Sequence, residues 1–300
     1  MRMRKLIIAV LALMTFLTAC EKEYLGTFSP KKKINKIYVK SGSNTILSEE
    51  WTWFNGLLLK IDHYKDNGKE IDYTVEYKYD GTRVSEVLSK DEKVQYHYDG
   101  KQLSRMDYFY KNIYMESYNF EYSKDGKPEK ILFTIENAQN DGKRHLSPLG
   151  NLDPAGDAAE ILVGESGAKG GETTGEIKMD WDGGNIIKAS ILRYAEQSLS
   201  EDPTITYNYT YDKQKSPFAG LMSYKINNIF DETSLNGNFD ANNVMSTHRT
   251  VYKDNLHRYR TESWTYEYEY KNKFPVSRKG TYTDPDGHSR KDSEYTITYY

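Results

Sequence analysis

The pattern that most restricts this chain is an alternating aromatic segment closed by an Asp-Gly pair. Tyr73-Thr74-Val75-Glu76-Tyr77-Lys78-Tyr79 puts aromatic and branched side chains on one face and Thr74, Glu76 and Lys78 on the other. Such alternation specifies a strand with one buried face, because successive side chains point to opposite sides. Asp80-Gly81 follows, a turn dipeptide whose glycine accepts positive φ. Val84 and Val87 then begin a return strand.

The unit recurs. Tyr96-His97-Tyr98 leads into Asp99-Gly100, then Leu103 and Met106. Phe120-Glu121-Tyr122 leads to Asp125-Gly126, then Ile131, Phe133 and Ile135. Ile177-Lys178-Met179-Asp180-Trp181 leads into Asp182-Gly183, then Ile187, Ala189 and Ile191. Trp51-Thr52-Trp53 precedes Asn55-Gly56, then Leu57, Leu59 and Ile61. Three later strands, Ile205 to Tyr211, Trp264 to Tyr270 and Tyr295 to Tyr299, keep the alternation without the glycine. A single hairpin is unstable alone, so the units must pair side by side, and short links favour an antiparallel meander. The meander hides its apolar face either by folding over as a sandwich or by curling towards a barrel.

Composition bears on what fills that face. There are 27 tyrosines against 10 phenylalanines, hydrophobic residues make up 37%, and mean hydropathy is −0.81. Such a chain cannot build a thick aliphatic core. Tyrosine rings must bury an apolar body and leave the hydroxyl hydrogen-bonded or wet.

The first residues read differently. Arg2, Arg4 and Lys5 precede an apolar run from Leu6 to Leu17, broken only by Thr15. A basic start, a short apolar stretch and small residues before Cys20 make a secretory signal peptide over 1–19. Leu17-Thr18-Ala19-Cys20 resembles the lipobox of bacterial lipoproteins, which implies a diacylated Cys20 as the new N-terminus, an outer-membrane address and the membrane as partner. Cys20 is the only cysteine, so no internal disulfide can form. Glu21, Lys22 and Glu23 resemble the surface-export signal of Bacteroides-type lipoproteins. Loss of residues 1–19 removes three basic residues and no acid, moving the net charge from −3 to −6. Nothing there suggests a nucleic-acid footprint, which is basic and clustered.

The repeated Tyr-x-Tyr-Asp-Gly followed by an apolar return strand is similar to the tyrosine–aspartate repeats of the Rhs family. With the lipobox, the chain resembles an uncharacterised family of Bacteroides-type lipoproteins with a porin-like all-β fold. The resemblance covers Ile34 to Tyr300. It implies a curled antiparallel sheet and brings no catalytic residues.

The expected organisation is a signal peptide (1–19), a lipidated polar tether (20–33) and one repetitive β domain (34–300). A Gly-rich loop over 137–175 interrupts the alternation, and loops this long are either functional or disordered. Similar hairpins on both sides argue for one continuous sheet.

Candidate chemistry is sparse. The histidines at 63, 97, 145, 248, 257 and 288 lack metal-ligand spacing. His97 should face away from Tyr96 and Tyr98. Asp180 with Asp182, and Glu267 with Glu269, are paired carboxylates, but alternation alone produces such pairs on any solvated strand face. The turn aspartates Asp80, Asp99, Asp125 and Asp182 suit Asx turns, or calcium were the turns stacked. Ser147, Ser166 and Ser216 have no nucleophile context, and 164–171 misses the phosphate-loop pattern. Trp51, Trp53, Trp181 and Trp264 are candidates for stacking on a ligand, although inner-face packing is the default for aromatics alternating in a strand. No cofactor is expected. The reading is a non-enzymatic envelope lipoprotein that binds a glycan or protein or plays a structural part. The competing classes are an envelope carbohydrate-active hydrolase and a shell or scaffold of repeat type.

Overall fold

In the computed structural model of the chain, residues 28–135, 175–195, 198–199, 203–221, 240–253 and 257–300 are described. They form strands and, among the described residues, no helix. The strands are β1 (Ile34–Ser41), β2 (Asn44–Phe54), β3 (Leu57–Tyr64), β4 (Ile71–Asp80), β5 (Arg83–Ser89) and β6 (Glu92–Asp99). Next come β7 (Gln102–Tyr110), β8 (Ile113–Tyr122), β9 (Pro128–Ile135), β10 (Gly175–Asp182), β11 (Asn185–Ala195) and β12 (Ser198–Leu199). The last are β13 (Ile205–Lys215), β14 (Asn242–Lys253), β15 (His257–Lys271), β16 (Phe274–Thr283) and β17 (Ser289–Tyr299).

Apart from the short β12, each strand pairs antiparallel with the strands before and after it, and β1 pairs with both β2 and β17. The meander therefore closes into a barrel of sixteen strands. The short β12 stands aside, pairing only with the end of β11, while β11 also pairs with β13. Strands β9 and β10 pair directly across the loop over 137–175, so the hairpins on either side make one sheet. Of the two ways to hide an apolar face, closure is the one used. It leaves no open edge.

In a closed antiparallel meander every second turn lies at the same end. Asn55-Gly56, Asp80-Gly81, Asp99-Gly100, Asp125-Gly126, Asp182-Gly183 and Asn272-Lys273 therefore share one rim, here the Asx rim. Asn55 and Gly56 both adopt positive φ, 48° and 90°, and in the Asp-Gly copies the glycine does so, as at Gly81 (62°) and Gly126 (75°). Asn272 and Lys273 take 53° and 69° without a glycine, so that copy keeps the turn and loses only the cheap residue.

The tyrosine repeat has a structural task at this rim. Each hairpin that ends there carries a register shift beside its last inward aromatic, as between Lys78 and Tyr79 or His97 and Tyr98. A bulge disrupts the ladder locally, and the aromatic of the next hairpin bonds back to the backbone beside it. Tyr79 donates to the Leu58 carbonyl, Tyr98 to Val84 and Tyr122 to Leu103, each at 2.7 Å. Tyr211 donates to Ile186 at 2.6 Å, Tyr268 to Val244 at 2.9 Å and Tyr299 to Pro275 at 2.7 Å. Tryptophan fills the two remaining places, Trp53 Nε1 on Ile34 at 2.8 Å and Trp181 Nε1 on Pro128 at 2.6 Å. One aromatic clamp thus ties each hairpin at this rim to the hairpin before it, at every second strand pair around the ring.

The bulges also correct two expected return strands. Leu57-Leu59-Ile61 and Ile187-Ala189-Ile191 read as single-faced by period two. The skipped residue instead turns Leu58 and Ile186 inward, at 0% and 2% exposure, and leaves Leu59 and Ile187 outside at 39% and 41%. The true spacing is three: Leu58/Ile61, Val84/Val87, Leu103/Met106, Ile186/Ala189.

A sixteen-strand barrel of round section would leave an aqueous channel. Here the inward residues of the middle layers, including Trp51, Val75, Val94, Tyr118, Ile177 and Tyr207, are essentially inaccessible and belong to one core cluster. Phe218, from the segment after β13, meets Trp51 of β2 with ring centroids 6.1 Å apart. Phe28 packs on Trp51 and Trp53. Its burial differs from the expectation of a polar tether up to Lys33: residue 28 already belongs to the core, drawn in by the aromatic rim.

Candidate functional site

The outer wall comes first, because it decides what the barrel can touch. Its mid-strand positions are charged. Lys36–Glu50 (3.2 Å), Lys60–Asp62 (2.6 Å), Lys78–Glu86 (2.6 Å), Lys130–Glu121 (2.7 Å) and Lys178–Glu176 (2.7 Å) are ion pairs on successive parts of the ring. His97 faces outward as expected and meets Asp107 at 2.9 Å, beside Arg105 at 2.7 Å. Burial alone would raise the Asp62 carboxyl, but the bonds from Lys60 and Thr74 outweigh it and hold Asp62 below the usual range. The other half of the ring continues with exposed Lys188, Asn208, His248, Glu267 and Lys279. A transmembrane barrel needs an outward apolar band ~25 Å tall, and each Lys or Arg at mid-bilayer costs ~2–4 kcal/mol. This barrel has the opposite polarity, apolar within and charged without.

The chemistry-bearing side chains gather inside, towards the end away from the Asx rim. On β15, Glu262 (3% exposed) accepts bonds from Arg249 Nη1 at 3.1 Å, from Arg260 and from the Tyr282 hydroxyl at 2.6 Å. Burial and the Glu262 carboxylate push the Tyr282 hydroxyl up. Arg278, buried on β16, lies between the rings of Tyr266 and Tyr295, at 4.6 and 4.8 Å from their centroids, and reaches Ser293 Oγ at 3.3 Å. Other strands supply acids. Glu49 accepts Trp51 Nε1 at 2.8 Å with His63 Nδ1 3.7 Å away, Glu92 accepts the Tyr108 hydroxyl at 3.2 Å, and Glu116 accepts that of Tyr118. Cations on β14–β16 and carboxylates on β2, β6 and β8 are thus each bound by neighbours on the same wall.

A second polar knot ties the Asx rim. Asp240 (5% exposed) accepts the Ile186 amide at 2.9 Å, and Asn185 and Asn242 bond reciprocally at 3.0 Å. Burial raises Asp240 to about 6, against the bonds from Ile186 and Tyr211.

Of the four tryptophans, Trp51 and Trp53 stack on one another with ring centroids 6.2 Å apart. Trp51 and Trp264 lie in the interior at 0% and 5% exposure, Trp264 against Tyr282 at 5.1 Å. Trp53 and Trp181 are half-buried clamps with their indole N–H groups on backbone carbonyls. This is the inner-face packing that alternation makes the default. Cys20, Ser147 and Ser166 lie outside the described residues. Ser216 Oγ accepts the Phe218 amide at 3.2 Å within its turn. The turn aspartates Asp80, Asp99, Asp125 and Asp182 are all exposed at the Asx rim. Among the described residues, one group has metal-compatible spacing, Asp284, Asp286 and His288. Asp284 Oδ1 already accepts the amides of Asp286 and His288 at 3.0 and 2.9 Å, an Asx turn that explains the cluster.

No family model matches the chain, and no curated protein matches it. Among solved structures, it is similar to a porin-like protein from Bacteroides uniformis ATCC 8492, at 12% identity over 89% of this chain and 98% of that one, with a TM-score of 0.47. It is likewise similar to a porin-like protein from Bacteroides vulgatus ATCC 8482, at 9% identity over 90% and 99% of the two chains, with a TM-score of 0.48. The closed barrel itself rests on this chain's own strand pairing.

Proposed function

We propose that the chain is a lipid-anchored envelope module that works by binding or by building structure, without catalysis. The carrying observation is the polarity of the barrel: an ion-paired outer wall around a filled interior. Such a body stands in water beside a membrane and does not form a pore through one. The apolar run before Cys20 supports the anchor, and the cysteine supports its lipid. The inward acids Glu49, Glu92 and Glu116 are each engaged by a tyrosine or tryptophan, which favours a structural part for them over hydrolysis. With the tryptophan rings enclosed, contact with a glycan or protein ligand falls to the barrel ends. The clamp ring braces the Asx rim, which suits a scaffold equally.

Two experiments test the reading. Purified chain reconstituted in liposomes should leave them impermeable to small sugars in a swelling assay; stepwise conductance or swelling would overturn the water-standing barrel. Cys20→Ser should leave the chain unlipidated and free of the membrane fraction, and ordinary retention of that variant would overturn the anchor.

A further inference from the structure

We infer that the Asx rim faces the bilayer that holds Cys20, and that the opposite end, above the Arg249–Glu262 cluster, points into solution. The inference rests on the anchor proposed above. Its basis is where the chain enters the barrel. Phe28 is buried against Trp51 and Trp53, and Ile34 begins β1 at the Asx rim, with Tyr300 N bonded to the Lys33 carbonyl. Eight residue steps separate Cys20 from Phe28, a reach of at most ~28 Å when fully extended. Strand β4 runs ten residues from the far end to the Asx rim. That is ~33 Å along the strand, or about 25 Å in height at the usual barrel tilt. A tether this short lets the Asx rim rest on the surface, but with the barrel inverted it would have to climb most of that height before reaching a lipid.

The side chains at this rim fit a headgroup layer. Phe54, Tyr270 and Tyr300 are 62%, 37% and 69% exposed there. Amphipathic aromatics with neighbouring lysines are the usual residents of a membrane interface. Lys31, Lys271 and Lys273 are exposed beside them. The turn aspartates share the rim, so attraction to an anionic surface is modest and the tether supplies most of the orientation.

Lipid occupies the sulfur of Cys20 in the anchored chain, so an added cysteine takes a label alone. Thr82→Cys lies in the Asp80-Gly81 turn and Asp66→Cys in the turn between β3 and β4; both positions are exposed, and neither side chain makes a clamp bond. Each lipidated variant is labelled with a fluorophore and reconstituted in phosphatidylethanolamine–phosphatidylglycerol vesicles carrying a spin-labelled headgroup lipid. The label at 82 should lose emission and the label at 66 should keep it. Equal quenching, or stronger quenching at 66, overturns the orientation while leaving the anchor intact. Failure of either variant to float with the vesicles overturns the anchor, and the orientation with it.

Discussion

Replacing Tyr98 with Phe removes one oxygen from the clamp ring and little else. The hydroxyl donates to the Val84 carbonyl at 2.7 Å, and Val84 is fully buried beside its bulge. The ring should keep its place, with the Arg83 guanidinium 5.4 Å from its centroid. The loss is therefore a buried carbonyl without its donor, a penalty of ~1–3 kcal/mol. Tyr98 is itself half-buried, so water reaches the rim in part and the lower half of that range is expected. Burial raises the hydroxyl's pKa, so it stays a neutral donor and the loss should not vary between mild acid and mild base. Urea unfolding of wild type and Tyr98→Phe, with matched slopes, measures it. Tyr64→Phe is the control: that hydroxyl bonds Glu50 on the outer wall at 2.9 Å, where water can replace it, so the change should stay within ~0.5 kcal/mol. Equal stability of Tyr98→Phe and wild type would refute the clamp as a source of stability and reduce the tyrosine repeat to packing.

Asp240 holds its proton more tightly folded than unfolded, since burial lifts it from 3.8 to about 6. Folding stability from this group is complete below pH 4 and falls as pH rises through 6, by about 3 kcal/mol; Asp240→Asn should flatten that fall in melts between pH 4 and 7. Glu262→Ala leaves Arg249 and Arg260 facing a buried gap and should cost ~3–5 kcal/mol by denaturant titration, and a loss under 1 kcal/mol would mean that water enters the cluster. Gly175→Ala would place a Cβ 2.3 Å from the Leu192 carbonyl oxygen and 2.6 Å from the Phe133 ring. It should unfold more readily than Gly183→Ala, where a Cβ meets nothing within 4 Å and only positive φ is strained; the reverse order in thermal melts would contradict the close packing of β9, β10 and β11.

Much of this was legible before any coordinates. Alternation fixes which side of each strand is inside because the side-chain period is two, and His97 stands opposite Tyr96 and Tyr98 for that reason alone. The Asx-Gly turns mark hairpins because few residues accept positive φ. The bulges were not read from the pattern: they leave a three-residue spacing at Val84/Val87 and Leu103/Met106, and period two hides them where leucine or isoleucine repeats, as at Leu57 to Ile61 and Ile186 to Ile191.

Closure and partners belong to the tertiary structure. A strand pattern is the same in a sandwich and in a barrel, since both bury one face; only the pairing of β1 with β17 decides between them. The last tyrosine of each repeat reads as another core residue, and its bond to a carbonyl on the preceding strand exists only once the neighbouring hairpin is in place. The gathering of Arg249, Glu262 and Tyr282 depends on the register between three successive strands, which side-chain alternation within one strand does not encode. By itself the sequence determined strand, turn and face, because those follow from neighbours along the chain. Only the folded barrel decided which polar groups meet, because those contacts are made between paired strands in register.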